Sequence, residues 1–196
     1  MIKIFDINKL TLDEILSRET SATGVEEIVS GIINDVKTGG DAALYKYCEK
    51  FDKVKLASLE VTAEEIEEAM SLVEPEFIEI IKEAAANITE YHKNQVQKGF
   101  EIKKENGIIL GQKVLPVKRA GLYVPGGTAA YPSTVLMDCI PAKIAGVKEL
   151  CITTPPSKDG KVNPVILATA KIAGADRIFK VGGAQAIAAL AYGTET

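Results

Sequence analysis

Hydrophobic and polar positions along this chain change their period once. Up to about Gln97 the apolar residues recur at helical spacing, and three segments open with capping-box spacing: Thr11 with Glu14, Thr23 with Glu26, and Thr62 with Glu65. In such a pair the hydroxyl takes an orphan helix N–H while the glutamate reaches back to the cap. The second segment should carry Ile28, Ile32 and Val36 inward and stop at Gly39-Gly40, after which Asp41 caps a short helix through Leu44, Tyr47 and Cys48. Glu74-Pro75 starts the longest predicted helix, with the proline in the tolerated first turn. Its residues Phe77, Ile81, Ala84, Ile88 and Tyr91 form one apolar stripe.

From Phe100 the pattern shortens to strand length. Phe100 and Ile102 lead into Asn106-Gly107, a hairpin turn signal, and Ile108 to Val117 reads as the returning strand. From Arg119 strands and helices alternate: strand 119–124, helix 132–145, strand 148–154, helix 163–173, strand 176–181, helix 184–193. The order β-α-β-α-β-α predicts parallel strands with right-handed crossovers, half of a doubly wound nucleotide-binding sheet. The expected fold class is therefore α/β. A helical region (1–99) is joined by a hairpin bridge (100–118) to an incomplete Rossmann-like sheet (119–196).

Composition narrows the picture. With 46% hydrophobic and 26% charged residues over 196 positions, the chain is an ordinary globular one. A net charge of −4 gives no basic surface for nucleic acid. The start MIKIFDINKL is too polar for a signal peptide, and no apolar run reaches the roughly 18 residues of a membrane helix. Cys48, Cys139 and Cys151 are widely spaced and odd in number, which fits reduced thiols in the cytoplasm.

Two strand-to-helix loops are candidates for chemistry. In Pro125-Gly126-Gly127-Thr128 the glycines let a ligand lie against bare backbone, and Tyr123 sits one residue inside the strand end. The same residues equally serve a tight turn with a core tyrosine. Gly182-Gly183-Ala184-Gln185-Ala186 opens a helix, where free N–H groups and a partial positive charge suit a phosphate and Gln185 offers an amide donor and acceptor. Close helix–sheet packing accounts for these small residues equally well. Neither loop spells the standard Rossmann or P-loop fingerprint. His92, the single histidine, reads as a solvated or structural residue off the apolar stripe, and with no Cys-x-x-Cys it cannot build a zinc site of three or four ligands. Ser133 and Thr134 read as helix caps, and Glu64, Glu65, Glu67 and Glu68 as a solvated helix face.

The run RAGLYVPGGTAAYPSTVLM, followed by IPAKIAGVKEL, ITTPP and VGGAQAIAALAYGTET, resembles histidinol dehydrogenase. VKTGGDAALYKYCEKFD and ITEYHKNQ in the first half are similar to the same family, so the resemblance covers nearly the whole chain. It implies oxidation of L-histidinol to L-histidine through the aldehyde, the last steps of histidine biosynthesis, with two NAD in turn and a zinc-held substrate in a homodimer. By position Tyr123 and Gln185 match cofactor-contacting residues, with Pro125, Gly126 and Gly127 as a backbone wall beside the cofactor. Family members run considerably further. Their zinc ligands, catalytic glutamate and histidine, and a further cofactor-binding asparagine match nothing here, and His92 matches no zinc ligand. The expectation is the N-terminal part of such an enzyme, truncated and inactive alone, with no catalytic or metal residue in this chain and a tendency to self-associate through an open sheet edge or an uncovered apolar face. A non-catalytic nucleotide-binding or assembly module, or another aldehyde-type dehydrogenase, are the alternatives. The latter is disfavoured because Cys139 falls in a predicted helix and Cys151 in a predicted strand rather than in strand-end loops.

Overall fold

The computed structural model describes residue 6 and residues 8–16, 24–126 and 130–196. The expected Thr23 cap, and Gly127 and Thr128 of the first glycine loop, lie outside these residues. Helix α1, Leu12–Leu16, carries the predicted capping pair: the Glu14 N–H donates to Thr11 Oγ1 at 3.3 Å and the Thr11 N–H to Glu14 Oε2 at 2.8 Å. Helix α2, Val25–Tyr47, buries Ile32 and Val36 as its pattern predicts, but Ile28 stays 65% exposed.

The predicted stop at Gly39-Gly40 is a kink. Gly40 takes φ +51 and ψ −136, a conformation that glycine adopts without a side-chain clash, and the helix resumes. Asp41 does not cap the restart with its own carboxylate. Its N–H donates to Glu195 Oε2 at 2.7 Å, and its carboxylate accepts from the Thr196 hydroxyl. A side chain on Gly40 would strike the Glu195 carboxylate. The kink and the cap that serves it are thus one feature, assembled from opposite ends of the sequence.

A single π turn, Cys48–Asp52, follows and ends at Lys53 with φ +60. Helix α3, Ala63–Leu72, has the full capping box at Thr62 and Glu65, worth about 1 kcal/mol. Helix α4, Pro75–Lys93, buries Ile81 and half-buries Phe77, Ala84 and Ile88, whereas Tyr91 in its last turn is 65% exposed.

Strands β1, Phe100–Lys103, and β2, Ile109–Gln112, form the antiparallel hairpin, with Gly107 at φ +83 in its turn. The return strand ends at Gln112 rather than Val117. β1 starts at Phe100, the partner of Gln112, so the chain beyond has no β1 backbone to pair with. Every residue of both strands is exposed.

The sheet matches its prediction closely. Strands β3, Arg119–Tyr123, β4, Glu149–Thr153, and β5, Arg177–Phe179, are parallel in the order β3-β4-β5. Helices α5, Pro132–Ile144, α6, Pro164–Ala173, and α7, Gly183–Tyr192, follow them in turn. Alternation along the strands sends Ala120, Leu122, Leu150, Ile152 and Ile178 to one face, where they share a core with Val135, Ile140, Ile166 and Leu167 of α5 and α6. α3 and α4 add Ala69 and Ile81 to the same core.

Helix α7 covers the opposite face. A Cβ on Gly121 would come within 2.7 Å of Leu190, so only glycine lets α7 lie this close to β3. α2 packs outside it through Val36 and Leu44 against Ala186 and Ala188. α5 and α6 thus cover one face of the sheet and α7 the other. The outer edge of β5 is closed by residues 59–61: the Lys180 N–H donates to the Leu59 carbonyl at 2.7 Å and the Val61 N–H to the Ile178 carbonyl at 2.9 Å. Among the described residues β3 has no strand on its outer edge.

Candidate functional site

All three strand tips converge on Pro155. A Cβ on Gly126, after β3, would lie 2.5 Å from Pro155 Cγ, and one on Gly182, after β5, would lie 2.7 Å from Pro155 Cβ. Both glycines have φ values open to other residues, so space alone fixes them. The backbone of each outer tip is pressed against the proline that ends the middle strand. The tips are tied at main-chain level as well: the Val124 N–H donates to the Thr153 carbonyl at 2.9 Å and the Thr154 N–H to the Phe179 carbonyl at 3.0 Å.

Tyr123 and Gln185 meet at Gly183. The Gly183 N–H, first in α7, donates to the Tyr123 hydroxyl at 3.2 Å. A Cβ on Gly183 would come within 2.7 Å of Gln185 Oε1, and φ +66 there independently favours glycine. Tyrosine hydroxyl and glutamine amide thus flank the same glycine. Gln185 is only 2% exposed, so its amide is held against Gly183 within the fold.

Beside these tips lies a cavity of about 430 Å³, walled by Pro125, Gly126, Pro155, Pro156, Lys158 and Asp52. α5 and α7 begin near these tips without side-chain caps, and neither they nor α6 carry an acidic residue in the first turn, so their starting ends are positive, while Asp52 places a carboxylate in the cavity wall itself. α6 is the capped one, its Val165 N–H donating to Asn163 Oδ1 at 2.9 Å. The α5 arrangement corrects one expectation. Pro132 takes the first helical position and Tyr131 the cap, so Ser133 and Thr134 fall inside the first turn and do not cap it.

A smaller cavity of about 270 Å³ lies on the sheet face under α7, lined by Gly121, Cys151, Thr153, Arg177 and Leu190. It runs along the strands from Arg119, Glu149 and Arg177 at their starts to Thr153 and Phe179 at their ends. The cysteines do not make it reactive. Burial pushes the Cys151 thiol up, and holds Cys48 at about 11 and Cys139 at about 12, so none is a ready thiolate. His92 is far from the tips in chain and contact, with Nδ1 2.6 Å from Gln95 Oε1.

Sequence reasoning missed Asp52, Lys158 and the pivotal role of Pro155. Pro155 was visible only within the run ITTPP, and Asp52 only as the last residue of VKTGGDAALYKYCEKFD, a run that carried the family resemblance without showing that the π turn brings this residue to the cavity.

Comparison with known proteins completes the description. The family model for histidinol dehydrogenase matches residues 16–196. Histidinol dehydrogenase of Clostridium acetobutylicum is 60% identical over 168 residues, which cover 86% of this chain and 39% of that protein. That of Methanosarcina barkeri is 48% identical over 195 residues, 99% of this chain and 45% of the relative. A crystal structure of histidinol dehydrogenase from Elizabethkingia anophelis superposes with a TM-score of 0.85 at 39% identity, covering 92% of this chain and 41% of the other. The chain thus spans less than half the length of these relatives. A fold, a set of loops and a sequence match of this extent lead to one assignment: the chain belongs to the histidinol dehydrogenase family.

Proposed function

We propose that this chain supplies the dinucleotide side of an NAD-dependent oxidation of L-histidinol to L-histidine by way of the aldehyde. Tyr123 and Gln185 contact the cofactor, and Pro125, Gly126 and Gly127 wall it. The observation that carries the reading is the meeting of the Tyr123 hydroxyl and the Gln185 amide at Gly183, beside three strand tips gathered on Pro155. The start of α7, which has no side-chain cap, fits a polar, anionic dinucleotide. NAD, when bound, accepts hydride; the residues here bind and orient it.

Zinc does not fit the residues present. Among the described residues no group of three His, Cys, Asp or Glu side chains can hold a metal ion. The metal and the proton-transfer groups of the reading therefore come from residues other than these. Cytoplasmic location and a homodimer belong to the same proposal. For the homodimer the support is an apolar surface left exposed among the described residues: Phe100, Ile102, Ile109 and Leu110 of the hairpin, with Val114 and Leu115 beyond it.

Calorimetric titration of the 196-residue chain with NAD tests the reading. The chain binds NAD, and Tyr123→Phe weakens binding by about threefold to tenfold, the worth of one hydrogen bond. It produces no NADH from histidinol alone. Absence of NAD binding, or zinc-dependent turnover by this chain, would overturn the proposal.

A further inference from the structure

In a dinucleotide-binding sheet the carboxylate that reads ribose hydroxyls sits at the end of the second strand. Here the second strand, β4, ends in Thr154-Pro155-Pro156-Ser157-Lys158, which contains no acid. The next acid, Asp159, is exposed and caps its own turn, accepting from the Lys161 N–H at 3.0 Å. The carboxylate that does line the cavity at these tips is Asp52, delivered by the π turn after α2.

Asp52 is poorly served by the protein. Its Oδ2 is closed off from water and has no hydrogen-bond partner among the described residues. No ion pair involving Asp52 occurs among them either, although Lys158 lines the same cavity. Burial pushes its pKa up, the direction expected of a carboxylate short of donors. The π turn that carries it is held in place by Lys53 at φ +60 and by Cys48, whose thiol donates to the Lys180 carbonyl at 3.6 Å just before the β5 tip. Asp52 thus lines the cavity at the strand tips on a turn of unusual geometry, with the enclosed oxygen of its carboxylate left without a donor.

We propose that Asp52 is the cofactor-specificity residue of this site, its carboxylate accepting hydrogen bonds from the ribose hydroxyls of the dinucleotide and excluding a 2′-phosphate. The inference rests on the dinucleotide reading above and adds to it the residue that substitutes for the missing acid of β4. An uncharged diol satisfies the carboxylate; a phosphate at the same point brings two negative charges together.

The test is binding of NAD, NADP and 2′-deoxy-NAD to the 196-residue chain and to its Asp52→Asn and Asp52→Ala variants, with circular dichroism as the check on folding. The wild-type chain should prefer NAD to each analogue by about tenfold or more, a comparison that needs no variant. Asp52→Ala should lose most of that preference, and Asp52→Asn should gain affinity for NADP. If the wild-type chain binds NAD but does not distinguish 2′-deoxy-NAD, or if both variants keep the full preference, the role of Asp52 is refuted while the dinucleotide reading stands. If the wild-type chain binds none of the three, both fall together.

Discussion

Replacing Glu65 with glutamine should cost this chain a measurable part of its stability, and the cost should depend on pH in one direction. Glu65 does two jobs. It closes the capping box of α3 by accepting from the Thr62 N–H at 2.9 Å, and it accepts from Lys180 Nζ at 2.9 and 3.0 Å. Lys180 follows β5, and its side chain is only 8% exposed. The pair therefore ties α3 to the strand that leads into Gly182 and Gly183. Glutamine preserves the capping oxygen but removes the charge, leaving a buried ammonium without its counter-ion. Breaking a fully buried pair costs about 3–5 kcal/mol. Glu65 remains partly open to solvent, so about 1–3 kcal/mol is the working figure here. For a chain of this size that lowers Tm by about 2–12 °C.

The pH dependence follows from the direction of the Glu65 shift. Burial alone would raise its pKa, but the bonds from Lys180 and the Thr62 N–H, with the charges of Lys180 and Lys161, hold it below its ordinary 4.5. A carboxyl with a depressed folded-state pKa contributes stability that is complete above its unfolded value and fades as pH falls through the folded one. The gap between wild type and Glu65→Gln, measured by urea unfolding, should be full at pH 7 and shrink below pH 4.5. A variant within about 0.5 kcal/mol of wild type at pH 7, the level of an ordinary surface change, would refute the reasoning. So would a gap that widens on acidification.

Other expectations are shorter to state. Gly126→Ala and Gly182→Ala should each destabilise by about 1–3 kcal/mol through overpacking against Pro155. Adding Pro155→Ala should rescue the first, whose clash is with Cγ and Cδ, but not the second, which meets the Cβ that alanine keeps; rescue of both or neither in urea unfolding would contradict the geometry. Light scattering should find the chain self-associated at high concentration, and the paired change Ile109→Lys with Leu115→Lys should shift it toward monomer. A wild-type chain that stays monomeric throughout would count against the hairpin surface as a contact.

The sheet half of this chain was legible from its sequence because local signals agreed with one another. Pro132, Pro164 and the glycines at 126, 174 and 182 punctuate the elements, and the strand lengths between them leave little choice of topology. Tyr123 and Gln185 stand out for the same reason: each sits at a fixed offset from a strand end, and the fold brings both to Gly183. What escaped the reading depends on distant partners. Gly40 looks like a helix stop until Glu195 accepts from the Asp41 N–H across 154 positions of sequence. Ile28 and Tyr91 fit apolar stripes, but no described element packs over them, so periodicity alone misplaced them. The hairpin forms where its Asn106-Gly107 turn signal places it, and both of its strands are exposed on every residue. Asp52 ends the quoted run VKTGGDAALYKYCEKFD, but only the folded chain brings the π turn to the tip of β4.

The central claim is that the tips of β3, β4 and β5 together form a dinucleotide site. Backbone amide NMR of the isotope-labelled chain during titration with NAD tests it most directly. The account predicts saturable shifts concentrated on Gly126, Thr154, Gly182, Gly183 and Gln185, with Asp52 among them. Shifts centred instead on Gly121, Cys151 and Leu190 beneath α7, or no saturable shifts at all, would contradict it.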